Sequence, residues 1–277
     1  MDPSDERFTT DALGGVELHV RVWGSAHDPP IVLLHGGGAN ASWWDHLAPR
    51  WATDHRVVAL DFRGHGDSDH PEEHVPGAFQ DDLEALLDRL GTARVVLVGH
   101  SMGAHVALDH ASRHSETRGL VLIDPSRGAA KRSRRRARLA LRFKRSYATR
   151  DDAISRYRFL PPSEHATEAL RESIARASVR EEEDGRFGYK FDAAWFGLPP
   201  RTPPDLEKVA CPTLVVRGGE SALLSEAGAR ELVSMLPDAR LCEIASAGHH
   251  VLLDRPDALA DAVSGFLAEL AEDAEDA

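Results

Sequence analysis

Val95-Val96-Leu97-Val98-Gly99-His100-Ser101-Met102-Gly103-Ala104-His105-Val106-Ala107-Leu108 is the stretch on which the reading of this chain turns. Four consecutive valine and leucine residues predict a buried strand. A serine flanked by glycines at 99 and 103 follows, and then a run that opens a helix. A strand, a Gly-x-Ser-x-Gly turn and a helix together form the context of a nucleophile elbow. The glycines lack Cβ atoms, so the backbone can turn sharply and pack against its neighbours. Ser101 is expected in a strained conformation, its hydroxyl above the sheet. The helix that starts there aims free N–H groups at developing negative charge.

Outward from this stretch, short apolar runs alternate with helical patterns, the trace of a mostly parallel sheet covered by helices. Ile31–Leu34 stops at His35-Gly36-Gly37-Gly38, Val57–Leu60 at Asp61, Leu120–Ile123 at Asp124-Pro125, and Thr213–Val216 at Arg217-Gly218-Gly219. Leu241–Ile244 precedes Ala247-Gly248-His249, and Val16–Trp23 alternates as an early antiparallel strand. Ligands of open α/β sheets bind at the carboxyl ends of such strands. Residues 127–204 break the rhythm: no strand run is evident, helical patterns dominate, and Pro-Pro pairs punctuate the segment. They are read as a helical cap inserted into a core formed by 1–126 and 205–277.

In these motifs the chain resembles the α/β-hydrolase superfamily, in its capped branch of esterases, lactonases and carbon–carbon bond hydrolases. The matching residues are His35-Gly36-Gly37-Gly38, Asp61-Phe62-Arg63-Gly64-His65-Gly66-Asp67-Ser68, Gly99 to Gly103, and Ala247-Gly248-His249. The resemblance covers nearly the whole chain and is weakest across the cap. It implies an α/β-hydrolase fold: a mostly parallel eight-stranded sheet, helices on both faces, and an inserted cap. It leaves the substrate open, because one fold hosts many chemistries.

A serine hydroxyl needs a neighbouring base to become nucleophilic near neutral pH. Of fifteen histidines, His249 matches the family position after the last strand, and His250 is its neighbour. His100 is expected to point away from Ser101, and His35 and His65 to serve their turns. His110 and His114, four residues apart on a helix, are spaced to chelate a metal. They lack the Glu of His-Glu-x-x-His and are read as a solvated helix end. The usual acid is missing: relatives place an Asp at the position of Ser221 or Ala222. Two candidates remain, Asp124 at the end of the strand after the nucleophile helix, and Glu220 beside the usual position. Asp124 is the preferred acid, since some capped relatives use that strand end, and Glu220 is the alternative.

The resemblance assigns the oxyanion hole to the backbone N–H groups of Gly37 and Met102. Gly38, Trp43 and Trp195 are candidates for the substrate pocket, with Trp44 and Phe196 nearby. Nine of the fifteen residues from Lys131 to Arg145 are Lys or Arg. This basic stretch is read as a solvated cap helix, with attraction of an anionic substrate as the other reading.

The whole chain of 277 residues carries a formal net charge of −12, which argues against bulk binding to nucleic acid or anionic membrane. Cys211 and Cys242 lie in apolar runs and are expected as free thiols. The acidic N-terminus does not read as a signal peptide, and no run is long enough to span a bilayer. A cytoplasmic enzyme is expected, monomeric or homodimeric, without metal or cofactor, acting on a small apolar or anionic molecule. The leading reading is a serine esterase or lactonase working through an acyl-enzyme. Carbon–carbon bond hydrolysis or natural-product cyclisation on the same Ser-His pair is the alternative, and a non-enzymatic ligand-binding homologue is the remote one.

Overall fold

The computed structural model describes residues 2–10, 15–25, 30–127, 146–195 and 202–275. Ten strands are found among them: β1 (Ser4–Thr9), β2 (Glu17–Trp23), β3 (Ile31–Leu34), β4 (Val57–Asp61), β5 (Val96–His100), β6 (Gly119–Ile123), β7 (Val179–Glu181), β8 (Phe187–Tyr189), β9 (Thr213–Gly218) and β10 (Ala239–Ile244). Eight of them form one sheet in the order β1-β2-β4-β3-β5-β6-β9-β10. From β4 to β10 every pairing is parallel, while β2 and β1 are added antiparallel at one edge.

The central strands are apolar on both sides because both sides are covered. Side chains alternate across the sheet. Ile31, Leu33, Val96, Val98, Val121 and Ile123 therefore fall into one core cluster, and Val32, Leu34, Leu97, Leu120 and Leu122 into another. The principal described helices are α1 (Ala48–Trp51), α2 (Ala78–Leu90), α3 (Met102–Ala111), α4 (Arg150–Ser155), α5 (Glu168–Ala177), α6 (Glu226–Ser234), α7 (Val251–Asp254) and α8 (Pro256–Glu275). Leu259, Val263 and Phe266 of α8 join the first cluster, and Leu83, Leu86 and Ala107 of α2 and α3 join the second. No described helix is long and apolar enough to cross a membrane.

One strand in the first 126 residues, and the segment that follows them, depart from the sequence reading. The polar N-terminus supplies β1, whose residues alternate between exposed and half-buried. An edge strand with charged side chains has little apolar signal to give. Residues 127–204 contain the hairpin β7–β8 beside α4 and α5, where only helices were expected. Its strands have three residues each and turn around Asp184-Gly185, Gly185 having φ +75°. Such strands are too short to show a period. The basic stretch 131–145 and Phe196 lie outside the described residues. The described part of the segment is tied back to the core, Gly66 N–H donating to Lys190 O at 2.7 Å and Asn40 Nδ2 to Ser178 Oγ at 3.0 Å.

Strand order reverses at β3, which lies between β4 and β5. The loop after β3 and the turn after β5 therefore open onto the switch-point crevice, where open sheets place their ligands.

Candidate active site

Ser101 stands between β5 and α3 with φ +51° and ψ −108°. A non-glycine residue in that region costs roughly 1–3 kcal/mol, and the surroundings enforce it. Ser101 N–H donates to Ile123 O at 2.9 Å, and Gly103 N–H to His35 O at 3.1 Å. Close approach fixes both flanking glycines: a Cβ on Gly99 would overlap the Gly103 backbone, and one on Gly103 would overlap Leu34 O.

His249 follows β10, and its Nε2 lies 3.0 Å from Ser101 Oγ. Its Nδ1 lies 2.7 Å from Asp124 Oδ2, with His249 and Asp124 both buried. A carboxylate can only accept, so Nδ1 carries the proton and Nε2 presents its lone pair to the serine hydroxyl. Asp124 sits one residue past β6, with its N–H donating to Val216 O at 2.8 Å. Its φ of +46° is a conformation that Asp tolerates better than most residues.

Glu220 goes elsewhere. Its side chain is half exposed and meets His165 Nε2 at 3.1 Å. Of the two candidate acids, the structure brings only Asp124 to the imidazole.

Ser221 is the site residue that sequence reasoning passed over. Its hydroxyl donates to Asp124 Oδ2 at 2.6 Å and accepts the N–H groups of Leu223 and Leu224, each at 3.1 Å. Gly218 N–H donates to Asp124 Oδ1 at 3.1 Å. Three donors thus converge on one buried carboxylate, which can accept at both oxygens. A polar residue at the place where relatives carry the acid was the available signal.

Gly36-Gly37-Gly38 borders Ser101: a Cβ on Gly36 would stand 3.3 Å from Ser101 Cβ. Gly38 has φ +76°, and Ala39 N–H closes the turn onto Gly36 O at 3.1 Å. Among the described residues, neither Gly37 N–H nor Met102 N–H makes a hydrogen bond.

The chain matches the alpha/beta hydrolase family over residues 31–262. It belongs to that family. The sn-1-specific diacylglycerol lipase ABHD11 of Mus musculus is 31% identical over 263 residues, covering 88% of this chain and 83% of its own. Esterase Rv0045c of Mycobacterium tuberculosis is 27% identical, with 96% and 89% covered. The solved structure of an alpha/beta hydrolase from Novosphingobium aromaticivorans superposes with a TM-score of 0.80 at 27% identity, covering 98% of this chain and 99% of its own.

The histidines around His249 are buried. His100 does not simply turn away from the site: its Nε2 donates to His249 O at 3.0 Å and its ring lies 4.8 Å from that of His249. His250 Nε2 donates to Pro161 O at 2.9 Å. Burial, and then the proximity of His249, hold both side chains well below the ordinary histidine pKa. His35 Nδ1 donates to Gly36 O at 2.8 Å and its Nε2 accepts Phe62 N–H at 3.2 Å, a turn role as expected. His65 Nδ1 meets Arg63 O at 3.1 Å, and burial pushes its pKa down to about 3.

Trp43 is buried against Phe159 and His250, with ring centroids at 5.3 and 5.4 Å. His250 in turn lies against His249, with ring centroids 5.0 Å apart. Trp195 is fully buried in the other core cluster, packed on Gly64, His74 and Phe79. This is core packing rather than the substrate contact expected of it, because no face of the indole is open. His110 is also buried, so the reading of a solvated helix end holds only for His114. The two rings stack at 4.2 Å with planes 10° apart, and both meet Glu84 Oε1, at 2.7 and 3.2 Å. A nitrogen of each ring converges on that one carboxylate oxygen, so Glu84 ties α2 to α3 and to the turn that follows it. Cys211 and Cys242 are free, Cys211 buried and Cys242 half-buried.

Proposed function

We propose that the protein is a serine hydrolase that cleaves a carboxylic ester or lactone of a small organic molecule through an acyl-enzyme. The observation that carries this reading is the hydrogen-bonded line Ser101 Oγ–His249 Nε2 at 3.0 Å and His249 Nδ1–Asp124 Oδ2 at 2.7 Å. Ser101 Oγ attacks the carbonyl carbon while His249 Nε2 takes its proton. Asp124 holds the imidazole in the correct tautomer and stabilises the imidazolium. Negative charge moves onto the carbonyl oxygen, where the N–H groups of Gly37 and Met102 receive it. Each such donor is worth roughly 2.7–4 kcal/mol of transition-state stabilisation. His249 returns the proton to the departing alkoxide oxygen. Water, deprotonated by the same nitrogen, then releases the acid and restores Ser101.

Residues 127–204 serve as the cap that covers this site, and residues 1–126 and 205–277 as the core. The named activities of the lipase and esterase relatives support ester cleavage. One relative, the 2-hydroxy-6-oxo-6-(2'-aminophenyl)hexa-2,4-dienoic acid hydrolase of Metapseudomonas resinovorans, 26% identical, supports carbon–carbon cleavage as the second reading.

A panel of p-nitrophenyl esters and a fluorophosphonate probe test the proposal. Wild type is expected to take one phosphonyl group on Ser101, and Ser101→Ala to lose turnover by about 10⁴-fold or more. Absence of acylation by every ester and by the probe would refute it. Turnover of a vinylogous diketone without ester turnover would favour the second reading.

A further inference from the structure

The loop that carries His249 is fastened by a second carboxylate outside the line of Ser101, His249 and Asp124. Asp254 ends α7 and is buried. Its Oδ2 accepts Gly248 N–H at 2.8 Å, and its own N–H donates to His250 O at 2.9 Å. These two bonds close a ring over residues 248–254 with His249 inside it. The other carboxylate oxygen belongs to the inserted segment: Oδ1 accepts Ser163 Oγ–H at 2.5 Å and His165 N–H at 3.2 Å.

Two further contacts join the same pieces. His250, next to the base, donates to Pro161 O, and the His165 ring meets Glu220 in the loop after β9. Residues 161–165 therefore lie as a strap over the loops after β9 and β10. Arg171 of α5 holds the strap from behind, donating to Ser163 O and to Ala166 O.

The chemistry of this position selects a carboxylate. Three donors point at it from two parts of the chain, and a carboxylate is an acceptor at both oxygens. An Asn of the same shape fails whichever way its amide turns. Its NH₂ would face either Gly248 N–H or His165 N–H, setting donor against donor, even though the Ser163 hydroxyl could turn to accept.

We propose that Asp254 is a positioning residue for the reaction at Ser101, and that the strap 161–165 sets the alignment of His249 through it. Seating of the inserted segment is thereby transmitted to the base. The proposal rests on the serine-hydrolase reading of the site.

Asp254→Asn, Ser163→Ala and the double variant test it in the full chain, at a temperature where each is folded. The readouts are the second-order rate of fluorophosphonate acylation across pH, the low-field proton resonance of His249 Nδ1–H, and Tm. Asp254→Asn is expected to slow acylation about 10- to 100-fold, as a small misplacement of a catalytic group does. Ser163→Ala is expected to slow it about fivefold, as loss of one hydrogen bond does. The double variant is expected to be no slower than Asp254→Asn, because Ser163 acts through Asp254. The resonance is expected to move in both single variants. A lowered Tm with unchanged acylation and an unmoved resonance would overturn the proposal, as would multiplicative losses in the double variant. If Asp254→Asn does not fold, the same readouts on Ser163→Ala decide. If wild type does not acylate, the hydrolase reading has failed, and the resonance alone judges the role of Asp254.

Discussion

Replacing Asp124 with Asn changes one oxygen to an NH₂ in a buried pocket where three donors converge. His249 Nδ1–H and the Ser221 hydroxyl both point at Oδ2, and Gly218 N–H points at Oδ1. With the NH₂ in the Oδ2 position, it donates to His249 Nδ1. The imidazole proton then moves to Nε2, facing Ser101, and the base is in the wrong tautomer. With the amide flipped, the NH₂ confronts Gly218 N–H, and a buried donor left unpaired costs about 1–3 kcal/mol. In that state the imidazolium also loses its partner charge. A loss of kcat/KM of about 10²- to 10⁴-fold follows, equivalent to about 3–5 kcal/mol of barrier. The measurement is p-nitrophenyl ester turnover together with the rate of fluorophosphonate labelling, set against Glu220→Gln. Glu220 is half exposed and paired with His165, so its replacement should cost less than about fivefold, the ceiling for an exposed ion pair. Near-wild-type activity in Asp124→Asn, or an equal loss in Glu220→Gln, would refute the reasoning.

Ser221→Ala removes a donor from Asp124 and strands the N–H groups of Leu223 and Leu224. Stability should fall by about 1–3 kcal/mol in urea unfolding, and kcat should fall more than KM changes. The buried neutral histidines make the protein acid-sensitive. His65, held down to about 3, and His100 and His250, held well below the ordinary value, stay unprotonated when folded but take up protons near 6.5 when unfolded. Their contribution is complete above that pH and is lost as pH falls below it. For His65 the loss is about 2 kcal/mol between pH 7 and pH 5. Urea melts across that range should show the fall, with a slope about one proton shallower in His65→Gln. An unchanged slope in that variant would contradict the assignment.

The sequence alone fixed what depends on neighbours along the chain. Gly99-His100-Ser101-Met102-Gly103 specifies a turn because its two glycines are the residues that backbone contact demands. The central strands are legible because burial on both faces leaves uninterrupted runs of Val, Leu and Ile. Much else was decided in three dimensions. β1 and the β7–β8 hairpin carry too little apolar periodicity to be read locally. Asp124 and Glu220 are both acids at strand ends, and nothing in either's neighbours along the chain separates them. What separates them is the parallel pairing of β6 with β9, which sets Asp124 beside Gly218 and Ser221, while Glu220 turns outward to His165. Trp195 and Asp254 follow the same rule: a side chain's role was set by contacts across long sequence separations, to Gly64 for one and to Ser163 for the other. Local chemistry names the groups that can act; the register of the sheet and the packing of the inserted segment determine which of them meet.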